Sequence, residues 1–172
     1  MNRRHDDPAR LLPWLRDNNA FIAALGENAI GVLFHGARLK RYPEGTIIAR
    51  QGKPMTHCYV VTEGCAATRV ESRGVIREVE AYPAGEFAGL MALFSQGDAP
   101  YDVVAARETE VVAIDTRHIA ELRAAFHPRA MRLLRAFWPL LTAHLQTLDR
   151  RCGEIAERKQ GTAMARGNSL RG

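Results

Sequence analysis

Residues 57–82, HCYVVTEGCAATRVESRGVIREVEAY, contain three short runs rich in valine, threonine and other residues that favour β-strands. Glu63-Gly64 separates the first run from the second, and Arg73-Gly74 separates the second from the third. Because glycine readily adopts the positive φ of a tight turn, we expect a β-hairpin at each of these two positions. The stretch therefore predicts antiparallel β-structure.

The same texture extends in both directions, since short apolar runs alternate with Gly, Pro and Asp from Ala37 to Asp115. Strands are predicted at residues 37–42, 46–50, 57–63, 65–72, 75–82, 101–106 and 109–115. Two or three short helices should precede them, and Asp115 with Thr116 can cap a helix that ends near His127. The predicted fold class is mainly β with flanking helices, an antiparallel β-roll of the jelly-roll-like, double-stranded β-helix kind.

The segment that follows Pro128 carries the clearest helical period. Apolar residues recur there at alternating steps of three and four, which is typical of a coiled-coil seam. The eight positions are Met131, Leu134, Trp138, Leu141, Leu145, Leu148, Cys152 and Ile155. We expect this seam to pair two copies into a homodimer, because one small domain cannot cover so long a stripe. The alternative is a helix packed on its own roll, for which Leu133, Phe137 and Leu140 supply a neighbouring face.

The predicted organisation has four parts. Short helices occupy residues 1–36, the roll 37–126, a dimerisation helix 127–159 and a disordered tail 160–172. No apolar run is long enough for a membrane span and no signal-peptide pattern opens the chain, so a cytoplasmic location is expected. The net charge of +5 is concentrated after residue 126, where nine Lys and Arg stand against three Asp and Glu. These charges lack the aromatic residues that typically accompany nucleic-acid contacts, so a solvated helix face is expected.

The sequence contains no pattern typical of catalysis or metal binding. The six histidines are scattered and lack the H-x-H spacing of a metal-binding roll. Cys58, Cys65 and Cys152 have no C-x-x-C spacing, and no G-x-S-x-G motif occurs. We therefore predict that the protein is not an enzyme and uses no metal and no cofactor.

Two segments resemble the cyclic-nucleotide-binding domain of the Crp/Fnr regulators, the family of the catabolite activator. The first is YPEGTIIARQG at residues 42–52, followed by CYVVTEG at 58–64, and the second is GEFAGLMALF at 85–94. The second is similar to the phosphate-binding cassette of that family. The resemblance covers residues 33–148 and depends on the order of glycines and strands. It implies a regulatory roll whose cassette is a short helix between two strands, with its N-terminal N–H groups facing a cyclic phosphate.

The groups that hold a nucleotide in that family are missing here. Where the resemblance implies a Glu for the ribose hydroxyl, the chain has Leu90. Where it implies an Arg for the phosphate, the chain has Ala99 or Pro100, depending on one gap. The guanidinium contact is worth about 1.5–3 kcal/mol, and a hydroxyl left against Leu costs about 1–3 kcal/mol more. We therefore expect no binding of cAMP or cGMP in the usual way.

The degenerate cassette is the candidate ligand site. Its residues are Gly85, Phe87, Ala88, Gly89, Leu90, Met91, Ala99, Pro100 and Tyr101. We expect Phe87, Leu90, Met91 and Tyr101 to form the rim of a pocket that suits an apolar or uncharged ligand or is filled by the protein itself. Filling by the protein is the favoured alternative, since an apolar cassette usually closes as core.

Three functions are consistent with this sequence. The favoured one is a dimeric, non-enzymatic sensor or regulatory module that responds to a protein partner or an uncharged small molecule by moving its seam helix. The second is a transcription regulator without its own DNA-reading half that acts through a partner. No segment has the pattern of a winged helix-turn-helix, so direct sequence-specific DNA binding is not expected. The third is a genuine cyclic-nucleotide-binding protein.

Overall fold

A computed structural model of the protein describes residues 8–72, 74–94, 97–139 and 142. The strands are β1 (Arg38–Tyr42), β2 (Ile47–Ala49), β3 (His57–Glu63), β4 (Cys65–Ser72), β5 (Val75–Pro83), β6 (Phe87–Ala88), β7 (Asp102–Ala105) and β8 (Thr109–Asp115). The helices are α1 (Leu12–Asn18), α2 (Ala20–Ala24), α3 (Glu27–Leu33), α4 (Thr116–Ala124) and α5 (128–139). Two short 3-10 segments cover Pro8–Leu11 and Leu90–Leu93.

The strands form two four-stranded sheets. The first has the order β1-β8-β3-β6 and the second the order β2-β7-β4-β5. Every strand pair is antiparallel. The mainly β, antiparallel roll with flanking helices is therefore confirmed. The seven predicted strands are confirmed to within a residue or two, whereas the two-residue strand β6 was not predicted.

One of the two expected hairpins is wrong. β4 and β5 do pair across Arg73-Gly74, with Ser72 opposite Val75. β3 and β4 lie in different sheets, however, so Glu63-Gly64 carries the chain from one sheet to the other. Gly64 has the predicted positive φ, of 82°. Turn chemistry thus sets the local backbone conformation, whereas the partners of each strand are chosen by non-local pairing.

The core lies on both faces of the first sheet. Between the sheets, one buried cluster comprises Tyr59, Val61, Ala66, Ala88, Val103, Val111 and Ala113. On the opposite face of β3 and β8, the residues Cys58, Val60, Val112 and Ile114 have no exposed surface. Four consecutive buried residues in β3 show that both faces of this sheet are covered. Burial raises the pKa of the Cys58 thiol, so this cysteine is a core residue rather than a reactive one.

The predicted caps of the helices that follow the roll are present. The Asp115 carboxylate accepts from Arg117 N at 2.9 Å at the start of α4. Its hydrogen bond with the Arg117 side chain lowers the pKa of Asp115 to about 2. The α5 helix begins at residue 128, as predicted, and His127 Nδ1 accepts from Arg129 N at 3.2 Å.

The chain divides into two compact units, Met1–Ala136 and Phe137–Gly172. In the first unit, Ala130 and Leu133 of α5 are buried, whereas Met131 is 46% exposed and Leu134 is half-buried. In the second, Phe137 is buried and Trp138 is 69% exposed. The predicted seam positions Leu141, Leu145, Leu148, Cys152 and Ile155 lie outside the described residues.

β5 is an edge strand of the second sheet. It exposes three apolar side chains, since Val75 is 52%, Ile76 65% and Val79 62% exposed. A register shift in the β4–β5 pairing between Thr68 and Arg69 interrupts its ladder. In the part of the chain that the structure describes, no helix is both long enough and apolar enough to cross a bilayer.

Candidate ligand site in the roll

The predicted cassette begins as a short strand and ends as a single helical turn. β6 pairs with β3, with Ala88 opposite Tyr59 and Phe87 opposite Val60. Gly89 has a φ of 72° and precedes the 3-10 turn Leu90–Leu93. The short helix expected after the strand is therefore present, but it has four residues. So short a 3-10 turn aligns few peptide dipoles, and its attraction for an anion is weaker than the family resemblance implied.

The N-terminal helices fix the start of the cassette through one side chain. Asn19 Nδ2 donates to the Gly85 carbonyl at 2.7 Å, while Asn19 Oδ1 accepts from Ile22 N at 2.9 Å and caps α2. Gly85 has a φ of 96°, and a Cβ at this position would lie 2.7 Å from the Asn18 carbonyl oxygen. Only glycine fits this approach, so the backbone of the cassette packs directly on the α1–α2 junction beside the Asn19 hydrogen bond.

Substitutions at Asn19 are expected to separate the cap from the cassette contact. Asn19→Asp keeps the oxygen that caps α2 but replaces the donor to Gly85 by an acceptor, so the free energy of unfolding should fall by about 1–2 kcal/mol. Asn19→Ala removes both hydrogen bonds, so its free energy of unfolding should fall by about 2–3 kcal/mol. Urea unfolding of the two variants measures the difference. Equal stability of Asn19→Asp and the wild type would show that the bond to Gly85 has no stabilising role.

The structure divides the predicted site residues among several environments. Ala88 is a member of the core cluster between the sheets, and the partly buried Tyr101 packs against that cluster. Leu90 is half-buried, and Met91 is 49% exposed on the 3-10 turn. Of the two residues aligned with the missing Arg, Ala99 is buried and Pro100 is exposed. The buried one of these two positions therefore carries only a methyl group.

Phe87 is buried on the face of β6 that is turned away from the space between the sheets, and its place at a pocket rim stays a prediction. Its ring packs edge-on against Phe21 of α2, with ring centroids 5.8 Å apart. The reason is the alternation of side chains in a strand, because Ala88 faces the space between the sheets and Phe87 must face the other way.

Met55, which was not among the predicted site residues, covers the bare Cα of Gly89 in the cassette. A Cβ on Gly89 would overlap Met55 Cε and would lie 3.7 Å from Met55 Sδ. Met55 also packs against the core cluster between the sheets. The space directly in front of Gly89 is therefore filled by a thioether side chain of the protein. An apolar residue in the otherwise polar loop 50–56 was the signal that pointed to it.

A second feature missed from the sequence is a polar network of tyrosines inside the roll. Tyr82 Oη donates to Glu80 Oε2 at 2.9 Å. Burial raises the pKa of Tyr82, and the bond to Glu80 raises it further. Burial and the charge of Glu80 likewise raise the pKa of Tyr101, and burial raises that of Tyr59 to about 12. The raised pKa values favour the neutral form of these phenols.

Neither His57 nor Cys58 takes part in a reactive pair. Their side chains point to opposite faces of β3, and burial is the main cause that lowers the pKa of His57. His57 Nδ1 lies 2.9 Å from Thr56 Oγ1. Among the described residues, no three His, Cys, Asp or Glu side chains converge in a way that could hold a metal ion.

Several solved structures are similar to this chain. The N-terminal domain of a transcriptional regulator from Streptomyces coelicolor A3(2) is 24% identical, with a TM-score of 0.62 over 78% of this chain and 94% of that one. The catabolite activator protein of Thermus thermophilus is also 24% identical, with a TM-score of 0.61 over 79% of this chain and 62% of that one. The sensor domain of the transcriptional regulator DNR from Pseudomonas aeruginosa is 18% identical, with a TM-score of 0.60 over 83% of this chain and 89% of that one.

The chain thus spans less than two thirds of the Thermus protein but most of the two separate domains. At these identities the similarity establishes the fold. No curated protein shows significant sequence similarity to the chain. The family model described as the cyclic nucleotide-binding domain matches residues 39–126, just over half of the chain. With the two sheets and the cassette as described, the chain belongs to the cyclic nucleotide-binding domain family.

Proposed function

We propose that this protein is a non-enzymatic regulatory module of the Crp/Fnr type that does not bind cAMP or cGMP in the usual way. The proposal is supported by the family resemblance, which implies an acid and a base at positions where this chain has neither. Leu90 stands in the place of the acid, and the buried position aligned with the base is Ala99. A buried phosphate without a cationic partner is strongly disfavoured by desolvation.

The interior of the roll adds an electrostatic argument. Tyr82 and Tyr101 pack against the core cluster, and the Tyr82 hydroxyl donates to the acidic side chain of Glu80 at 2.9 Å. Asp102, at the start of β7, is a further carboxylate, and its Oδ1 accepts from Gln51 N at 2.6 Å. These groups would repel a phosphate, so the site favours an uncharged occupant or a protein partner as the regulatory input.

The proposed output is the movement of a dimer helix. Met131 and Trp138 are large apolar residues of the predicted seam, and both are substantially exposed in the single chain. Exposed apolar side chains at coiled-coil spacing favour pairing with a second copy. The regulated process that we favour is transcription, because two of the similar structures belong to transcriptional regulators.

Isothermal titration calorimetry of the full chain with cAMP and with cGMP tests the central part of this proposal. The two missing contacts together remove about 2.5–6 kcal/mol of affinity. We therefore expect the dissociation constant to be at least about 70-fold above that of a micromolar binder, with no heat beyond dilution at ligand concentrations up to about 10 μM. Titrations with 5′-AMP and 5′-GMP, which have the bases and the sugar of cAMP and cGMP but no cyclic phosphate, are the controls for nonspecific binding. A dissociation constant of a few micromolar for either cyclic nucleotide, without binding of the corresponding control nucleotide, would contradict the proposal.

A further inference from the structure

We infer that Met55 is a built-in ligand of the cassette, and that the site it fills accepts a small uncharged thioether or hydrocarbon, not an anion, when the side chain is removed. This inference deepens the proposed function and rests on it in one respect, namely that no nucleotide competes for the cassette. It identifies which residue takes the place of the ligand and which chemistry that place recognises.

The first argument is the contact between Met55 and Gly89. The Met55 methyl group overlaps the position where a side chain of residue 89 would begin. The next nearest atoms to that position are the His57 carbonyl oxygen and Met55 Sδ, each at 3.7 Å. Gly89 itself is buried. The residue at the head of the cassette turn is therefore already covered by an apolar group on the side where a Cβ would stand, and a ligand on that side would have to displace the thioether.

The second argument is that the backbone around Met55 is held from two sides. Met55 N donates to the Gly97 carbonyl at 3.0 Å, and Ala99 N donates to the Lys53 carbonyl at 2.8 Å. These bonds tie the Met55 segment to the residues that follow the cassette. On the other side, Thr116 N at the start of α4 donates to the Thr56 carbonyl at 3.0 Å. Met55 is thus positioned by the fold and is not a loop residue that covers the glycine by chance.

The third argument is the chemistry of the surroundings. Met55 packs against a cluster of valines, alanines and the Tyr59 ring between the sheets. Methionine is unbranched and polarizable, so it fills an irregular apolar space well and makes favourable contacts with aromatic rings. An anion in the same space would lose its hydration without gaining a cationic partner.

The test compares Met55→Ala with Met91→Ala, the same substitution at an exposed methionine of the cassette turn. We expect Met55→Ala to lower the Tm of the full chain by about 5–10 °C and Met91→Ala by less than about 2 °C. Dimethyl sulfide corresponds to the atoms that Met55→Ala removes. Added in excess, it should restore at least half of the lost Tm of Met55→Ala and leave the wild type and Met91→Ala unchanged. Inorganic phosphate should shift Met55→Ala no more than it shifts the wild type.

A measurement on the unmutated protein keeps the inference testable if Met55→Ala does not fold. In full chain labelled with 13C at the methionine methyl groups, a nuclear Overhauser effect is expected between the Met55 methyl group and the Gly89 Hα protons. Absence of that effect, a Tm of Met55→Ala equal to that of the wild type, or selective stabilisation of Met55→Ala by phosphate would overturn the inference. These outcomes are independent of the calorimetry. Binding of cAMP to the wild type would contradict the proposed function, whereas the Tm of Met55→Ala with dimethyl sulfide tests the role of Met55.

Discussion

Gly64→Ala is expected to lower the free energy of unfolding by about 4 kcal/mol, an effect large enough to unfold many small domains. Alanine at the φ of 82° found here costs about 1 kcal/mol. In addition, the new Cβ would overlap the Glu108 carbonyl oxygen and would lie 2.9 Å from Thr109 Cα. This overlap can be relieved only if the backbone of the β7–β8 turn moves. That movement should lower the free energy of unfolding by about 3 kcal/mol more. Urea unfolding, with wild-type protein as reference, measures the loss.

The matched control is Gly74→Ala. Gly74 has a φ of 75°, close to that of Gly64, but a Cβ there would meet nothing within 4 Å. The free energy of unfolding of Gly74→Ala should therefore fall by about 1 kcal/mol, which is the cost of placing alanine at a positive φ. Equal losses in the two variants would show that the close approach of Gly64 to Glu108 has no energetic effect. The hydrogen bond from Thr109 Oγ1 to the Cys65 carbonyl, at 2.8 Å, is the contact that the displaced turn would break first.

Trp138→Glu is expected to raise the dissociation constant of the proposed dimer about a thousandfold. Trp138 is 69% exposed in the single chain and lies on the predicted seam. A buried tryptophan at the centre of an interface contributes about 2 kcal/mol or more to the binding free energy. Each copy of a symmetric dimer supplies one Trp138, so the substitution should weaken binding by about 4 kcal/mol, or about a thousandfold. Sedimentation equilibrium over a range of protein concentrations measures the constant, and circular dichroism checks that the variant remains folded.

Phe126→Glu is the control for the seam. Phe126 is 80% exposed, so it is at least as accessible as Trp138, but it is not one of the eight seam positions. Its substitution should leave the dimer dissociation constant unchanged. The seam is refuted if the wild-type chain is monomeric at micromolar concentrations, or if both charged variants weaken association equally.

The fold could be predicted from the sequence wherever a local pattern determined the structure. The strand at His57–Glu63, the cap at Asp115 and the positive φ of Gly64 and Gly74 all follow from residue type and spacing, and all are confirmed. The pairing of β3 was predicted wrongly because its true partners are distant in sequence. A two-residue strand such as β6 has no period of its own, so it could be recognised only from its partner.

The candidate site was predictable in its location but not in its contents. Glycine spacing and family resemblance located the cassette, and the absence of an acid at Leu90 could be read directly from the sequence. The role of Met55 could not, because it depends on a side chain crossing from a loop more than thirty residues upstream of Gly89. Asn19 likewise reaches Gly85 across 66 residues. Both contacts exist only after the sheets and the N-terminal helices have come together.

The outermost strand of the second sheet has a consequence for how the molecule behaves at high concentration. Among the strands that the structure describes, β5 has a partner on one side only, and it exposes the side chains of Val75, Ile76 and Val79. Such a border is a template on which another extended chain can add, and it is where fibrous aggregates commonly start. The register shift beside Arg69 interrupts the regular edge, and Arg77 and Glu78 place charges on it. Both features disfavour the addition of another strand, so they should limit aggregation through β5 at high protein concentration.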